Sequence, residues 1–543
     1  MIKIIINLLI LLLLFSCSNK HSNSLDNLNK SFFKWHKKYS DDLFDVSLIN
    51  SSENRKQFIG ESFYKDIKRF AIELNQINTN RLSAYEKNDY FLLNRYLNNN
   101  IFNYEKIKGQ DWNLVRLLDE IHSNILYLLI LDEQDGISIE DFNNKLEFIS
   151  YKINHIFEAI RYRYSSDSYN EMIDYLLDEI TSLINSTNIK ILKNDLGKLK
   201  AWFSESYKKF DVFNRSTLKS NYEKYFSIEL GGNIDIEGTL KDAKDLIGSY
   251  EHNIFNLSLP IYLSNNDEPV WTDYQDTLAV VDWMMSNLSN LSTSGSNCFN
   301  EKNILRIPSE FLSTVLDIEA PSLVESIYFR NSLITDKSVY LYDRDKRSFI
   351  ALNYMKKSNP IQLYSNILDD LLPGDLFIEH SIKTSESLIN QVYTNIEYSN
   401  LYKILMIDNY IDSFLPGRFD SVDKECETEH KNYSYMLDIQ FNIDRIKNSI
   451  STISAINYHY YDISINESID SYKYLNFFNE DEIKDLKIEI FGFGIDSIIK
   501  FKAYYLASNL LKETTADNMS EYLIGILKDN PNASFATIKD MIK

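Results

Sequence analysis

Glycine and proline are scarce in this chain, 14 and 8 among 543 residues. An all-β fold draws on both for its many tight turns, so the composition points away from one. Cysteine is scarcer still: Cys17, Cys298 and Cys426 are the whole supply. Cys298 and Cys426 stand far apart in the sequence with no second cysteine beside either, and they are not read as a zinc site. The eight histidines are His21, His36, His122, His155, His252, His380, His430 and His459, and none is followed by glutamate. The His-Glu-x-x-His helix of zinc peptidases is therefore absent. A Gly-x-Ser-x-Gly elbow is absent too, and Gly492-x-Gly494 lacks the third glycine of a phosphate cradle. Basic charge is in deficit, with 57 Lys and Arg against 78 Asp and Glu, a net −21. Phosphate binding needs a concentrated basic face, so no nucleic-acid partner is expected. In so acidic a chain, paired carboxylates say nothing about glycosidase chemistry.

Aromatics are plentiful: 37 Tyr and 31 Phe give a chain that can bury a large core, unlike a disordered acidic one. The one long apolar run lies at the N-terminus. Lys3 precedes Ile4 to Leu14, and Leu14-Phe15-Ser16-Cys17 closes the run. That is the bacterial lipoprotein signal pattern, with cleavage before Cys17 and lipid (palmitate among its acyl chains) attached there. The run is too short for an ordinary spanning helix, and no second run of about twenty apolar residues follows. The membrane is thus an expected partner through the lipid. Ser18 and Asn19 follow Cys17, without the Asp that in some Gram-negative lipoproteins signals inner-membrane retention, which favours the outer membrane. Cys298 and Cys426 are read as structural, their pairing left open.

Residues 18–30, rich in Ser and Asn, read as a flexible tether. Residues 31–290 then read as an N-terminal helical lobe and 291–543 as a second lobe. Ser138 with Asp141 makes a helix cap, and Phe142, Leu146, Ile149, Ile153, Ile156 and Ile160 follow at helical steps. Met172, Leu176, Ile180 and Leu183 repeat the pattern. A further helix is expected from Thr239, with Asp242 as its capping partner. Val339–Tyr342 and Phe349–Asn353 read as a β-hairpin within 338–354. The fold class is mainly α with this small β element. Just downstream, within an expected helix over 364–382, runs Leu368-Asp369-Asp370-Leu371-Leu372-Pro373-Gly374-Asp375.

Hairpin, Ala351-Leu352-Asn353, and then Pro373-Gly374 resemble a family of bacterial lipoproteins with a zincin-like domain, similar in fold to thermostable carboxypeptidases. Its signature helix reads His-Glu-x-x-Pro-Gly-His. The resemblance implies a helical cleft bordered by Asn353, Pro373 and Gly374. It places Asp369 and Asp375 at the two zinc-histidine positions, Asp370 at the catalytic glutamate, Asp408 at the third ligand, and His459 at a cleft histidine. Every ligand position is thereby altered. An oxygen donor with a shorter reach replaces each imidazole, so zinc hydrolysis is not expected and no cofactor is implied. Three functions follow. The first is a pseudoenzyme that binds a peptide or small molecule in its cleft or serves assembly. The second is a hydrolase with Ca²⁺ or Mg²⁺ on Asp369, Asp375 and Asp408. The third, if the resemblance is set aside, is a helical nutrient-binding lipoprotein using pockets such as Trp271–Tyr274 or Trp283–Met285.

Overall fold

The structure is a computed structural model. It describes residues 24–36, 61–164, 166–187, 189–230, 234–266, 276–290, 301–315, 321–343, 348–356, 359–383, 387–393, 396–415, 427–475, 477–492 and 495–513, with 524–525 and 528. The signal segment with Cys17, and Cys298 and Cys426, lie outside these residues, as do Gly231-Gly232 and Trp271–Tyr274. The fold is mainly α with one small sheet. Among the described residues no helix is long and apolar enough to cross a membrane.

Local sequence explains most helix starts. The Ser138 hydroxyl accepts the Asp141 N–H and opens the helix Ile139–Ala159, so the expected cap is present. The next stripe lies in Asp167–Thr187. The helix expected from Thr239 instead begins at Ile236. Asp235 caps it by accepting the Gly238 N–H at 2.9 Å, and Thr239 turns its hydroxyl onto the Asp235 carbonyl. A carboxylate at the N-cap satisfies an otherwise unpaired N–H and favours this earlier start.

Three large cores organise the chain, and they do not divide at residue 290. One gathers the helices Ile236–Asn265, Thr277–Asn290 and Glu301–Val315 with Ile396–Asn409, Ile495–Glu513 and most of Glu427–Ile456. A second joins residues 107–236 to Ala455–Ile498. The 30-residue helix Glu427–Ile456 runs from the first core into the second and ties them together. The third core is built near the N-terminus, and it corrects the tether. Residues 24–36 form a helix, and Leu25, Leu28, Phe32 and Trp35 bury at steps of three and four against Ile67, Phe70 and Leu93. A stripe at that spacing buries too much apolar surface for the segment to remain a solvated spacer.

The hairpin is present as β2 (Val339–Asp343) and β3 (Ser348–Leu352), antiparallel, its tip outside the described residues. A strand that the sequence reading missed, β1 (Ile327–Arg330), adds in parallel to β3, giving the order β1-β3-β2. Asn353 ends β3 in the left-handed region (φ 62°), and its buried side chain holds the β1–β2 connection. Its Oδ1 accepts the Ser332 N–H at 2.8 Å, and its Nδ2 donates to the Thr335 carbonyl at 2.6 Å.

Candidate functional site

The segment expected as one helix over 364–382 is broken in the middle. Asn359 caps a short helix, Pro360–Asn366, by accepting the N–H groups of Ile361 and Gln362. It widens into a π-helical turn over Ile367–Leu371, Leu372 becomes extended, and a new helix starts at Asp375 and runs to Lys383. The Leu372–Pro373 peptide is cis. Proline has no N–H to continue the ladder. Gly374 then lies against the turn so closely that a Cβ there would stand 2.0 Å from the Asp369 carbonyl oxygen. Only glycine fits that approach.

The break brings the acids together. One oxygen from each of Asp369, Asp370 and Asp375 lies within 4.8 Å of the others. From the facing helix, Ile396–Asn409, Lys403 reaches in: its Nζ is 2.9 Å from Asp369 Oδ1 and 3.1 Å from Asp375 Oδ1. The lysine is buried, at 5% exposure, whereas about two fifths of each carboxylate side chain meets solvent (44% and 41%). Tyr354, just past β3, donates its hydroxyl to Asp370 Oδ2 at 2.9 Å. Tyr340 on β2 stands within the field of Glu379, Asp375 and Asp370.

The charges tune one another. Burial would raise Asp369, but the Lys403 ammonium outweighs it and holds that carboxyl below its usual range. Burial also favours a neutral Lys403, and the charges of Asp369 and Asp375 reverse this, so the lysine stays protonated more firmly than a free one. Asp375 rises through burial, with Lys403 opposing. Asp370 makes no ion pair with Lys403, whose charge opposes its rise only weakly. Burial, then the charge on Asp369, push it up to about 7, with the Tyr354 hydroxyl opposing.

Asp408 and His459 stand elsewhere. Asp408 pairs with Arg445 from the long helix, and that guanidinium lies 5.7 Å from the Tyr250 ring centroid and 5.5 Å from that of Tyr504. The trio that could face a cation is therefore Asp369, Asp370 and Asp375, without Asp408. His459 belongs to the second core, its ring against Tyr222 and Tyr458 and its Nε2 2.7 Å from the Ile490 carbonyl. Burial lowers it to about 4, so it is neutral and structural. Asn353 orders the sheet connection, and Tyr354 beside it is the residue that touches the acids.

A cavity of about 540 Å³ opens beside the trio. Asp369 and Lys403 form one wall, and Asp444, Lys447, Glu482 and Lys500 stand among the others. The sequence reading missed Lys403, Tyr354, Asp444 and Lys500. Lys403 did leave a trace: it interrupts the apolar run Leu401-Tyr402-Lys403-Ile404-Leu405-Met406-Ile407. A lone charge in an apolar helix face calls for a buried partner. Zinc does not fit this site. All its donors are hard carboxylate oxygens, and an ammonium already stands on two of the three.

No family model matches the sequence, and no curated protein matches it. Solved structures do match in fold. A candidate lipoprotein of unknown function from Shewanella oneidensis aligns with a TM-score of 0.58 at 10% identity, covering 96% of this chain and 99% of its own. A candidate lipoprotein from Colwellia psychrerythraea gives 0.54 at 10% identity, covering 97% and 98%. The chain thus shares, over nearly its whole length, the fold of two bacterial proteins described as lipoproteins.

Proposed function

We propose that this chain is a lipid-anchored envelope protein that binds a ligand in its cleft without hydrolysing it, a non-catalytic relative of the metallopeptidase-like lipoproteins. The observation that carries the reading is the position of Lys403 Nζ, 2.9 and 3.1 Å from the carboxylates of Asp369 and Asp375. A cation site filled by an attached ammonium has much of its negative charge offset without a metal. An ammonium offers neither a coordination position for water nor the Lewis acidity that makes hydroxide at neutral pH. The signal pattern ending at Cys17 supports the anchor, and likeness in fold to two candidate lipoproteins agrees with it.

The test is metal analysis of the body beginning at Ser18, purified without chelator, with melting curves in Zn²⁺, Ca²⁺, Mg²⁺ and EDTA. The reading expects no stoichiometric metal and no shift in melting. Tightly bound zinc that survives dialysis would overturn it. The oxygen-only trio within 4.8 Å favours a second reading, a hard-cation site. Ca²⁺ or Mg²⁺ that binds the native protein and is lost in Asp375→Ala would establish that one instead.

A further inference from the structure

The cavity beside the trio is lined by charges that do not all cancel. Lys403 is taken by Asp369 and Asp375, and Lys447 is paired with Glu482 at 2.6 Å. Asp485 is held by Lys337 at 3.0 Å, and Glu489 accepts the Ser497 N–H at 2.9 Å. Apart from Glu489, which Ser497 satisfies by hydrogen bonding, two lining charges have no ion-pair partner among the described residues. One is Asp444 on the long helix, whose carboxylate receives only the Gln440 amide, at 3.1 Å. The other is Lys500 on the C-terminal helix. The cavity also holds a donor with nothing to give to: Asn448 Nδ2, one turn along from Asp444, is buried without a hydrogen-bond partner. Phe441 and Phe478 supply an apolar wall.

We infer that this cavity binds a small zwitterion of dipeptide size, its ammonium on Asp444, its carboxylate on Lys500 and the Asn448 amide, and an apolar side chain against Phe441 and Phe478. A cavity of about 540 Å³ is large enough for such a molecule and lies within the usual range for small-ligand sites. The opposite signs of Asp444 and Lys500 make a simple anion or a simple cation a poorer fit than a zwitterion. A simple anion would leave the half-buried Asp444 unmatched, a loss that disfavours it, while a simple cation would leave the exposed Lys500 and the Asn448 amide unused. The inference rests on the cleft being a binding site and names what it takes.

The test is calorimetric titration of the body beginning at Ser18 with L-alanyl-L-phenylalanine, its N-acetyl form and its C-terminal amide. The expected result is binding of the free dipeptide and at least about tenfold weaker binding of each blocked form, the usual loss for one charge-assisted contact. Asp444→Asn should weaken the free dipeptide and leave the N-acetyl form unchanged. Lys500→Met should weaken it and leave the amide unchanged. Equal binding of a blocked form, or no binding of the free dipeptide, overturns the inference. Proton NMR of the same mixtures reads hydrolysis separately. Cleavage of the dipeptide would sink the non-catalytic reading while leaving the binding site standing.

Discussion

Lys403 and Asp408 stand on one helix, Ile396–Asn409, and the protein treats them oppositely. Lys403 enters between Asp369 and Asp375 on the wall of a cavity, where about two fifths of each carboxylate side chain meets solvent. Asp408, further along, meets Arg445 in a closed setting, with only 14% and 19% of the two side chains exposed and two tyrosine rings beside the guanidinium. Burial raises Asp412 to about 6 and raises Asp438 as well, and the charge on Asp408 adds to both, so the second assembly is crowded with acid. An arginine in that position satisfies a planar carboxylate and stacks on aromatics, which a lysine cannot do as well. One assembly is a brace. The other is a brace with a door.

The comparison breaks first at Asp408. Replacing it with Ala strands a buried guanidinium, and removing one partner of a buried pair costs about 3–5 kcal/mol. Denaturant unfolding should show that loss. A loss below about 1 kcal/mol would mean that Arg445 finds Asp412 or Asp438 instead. Next comes Gly374→Ala, which forces a Cβ onto the Asp369 carbonyl. Overpacking of this kind costs roughly 1–3 kcal/mol. It should also move Asp369 relative to Lys403, visible as a changed Lys403 signal in NMR, and a variant as stable as the parent would contradict the geometry.

Lys403→Met should be milder than Asp408→Ala, because solvent already screens the two carboxylates. We expect about 1–2 kcal/mol lost, after discounting the buried-pair value for exposure. Removing the ammonium should also create a melting shift with Ca²⁺ or Mg²⁺ that the parent lacks. A variant indifferent to both ions would show that the trio is no cation site even when vacated.

The smallest effect is the pH dependence of Asp370. Its folded value of about 7 lies above the ordinary carboxylate value. The folded state therefore binds the extra proton, and stability falls as pH rises between about 4 and 7. Asp370→Asn removes that fall, so its gain over the parent should be larger at pH 8 than at pH 5. The slope removed should be below about 1 kcal/mol per pH unit. An identical difference at both pH values would mean that Asp370 is ionised throughout.

Much of the architecture was legible from local pattern. The cap at Ser138, the apolar stripes and the hairpin all appear, because short-range hydrogen bonding and burial at a fixed period specify them. The stripe of Leu25, Leu28, Phe32 and Trp35 was equally regular, but polar Ser and Asn around it drew the eye to a tether. β1 is only four residues long, too short for alternation to declare itself before a parallel partner is known. At the site, the resemblance pointed to Asp369, Asp370 and Asp375 but grouped Asp408 with them, since order along the chain says nothing about which side of a helix a residue occupies.

By itself, then, the sequence determined that this is an acidic, mainly helical chain without a His-Glu-x-x-His motif, because composition and absent motifs need no geometry. Only the tertiary structure decided what meets the three aspartates. Lys403 lies 28 residues beyond Asp375, and they meet at 3.1 Å because the break at Pro373 and Gly374 turns both aspartates toward the facing helix. Charge pairing across such a distance in sequence is a property of the packed fold, where burial makes an unpaired ion too costly to keep.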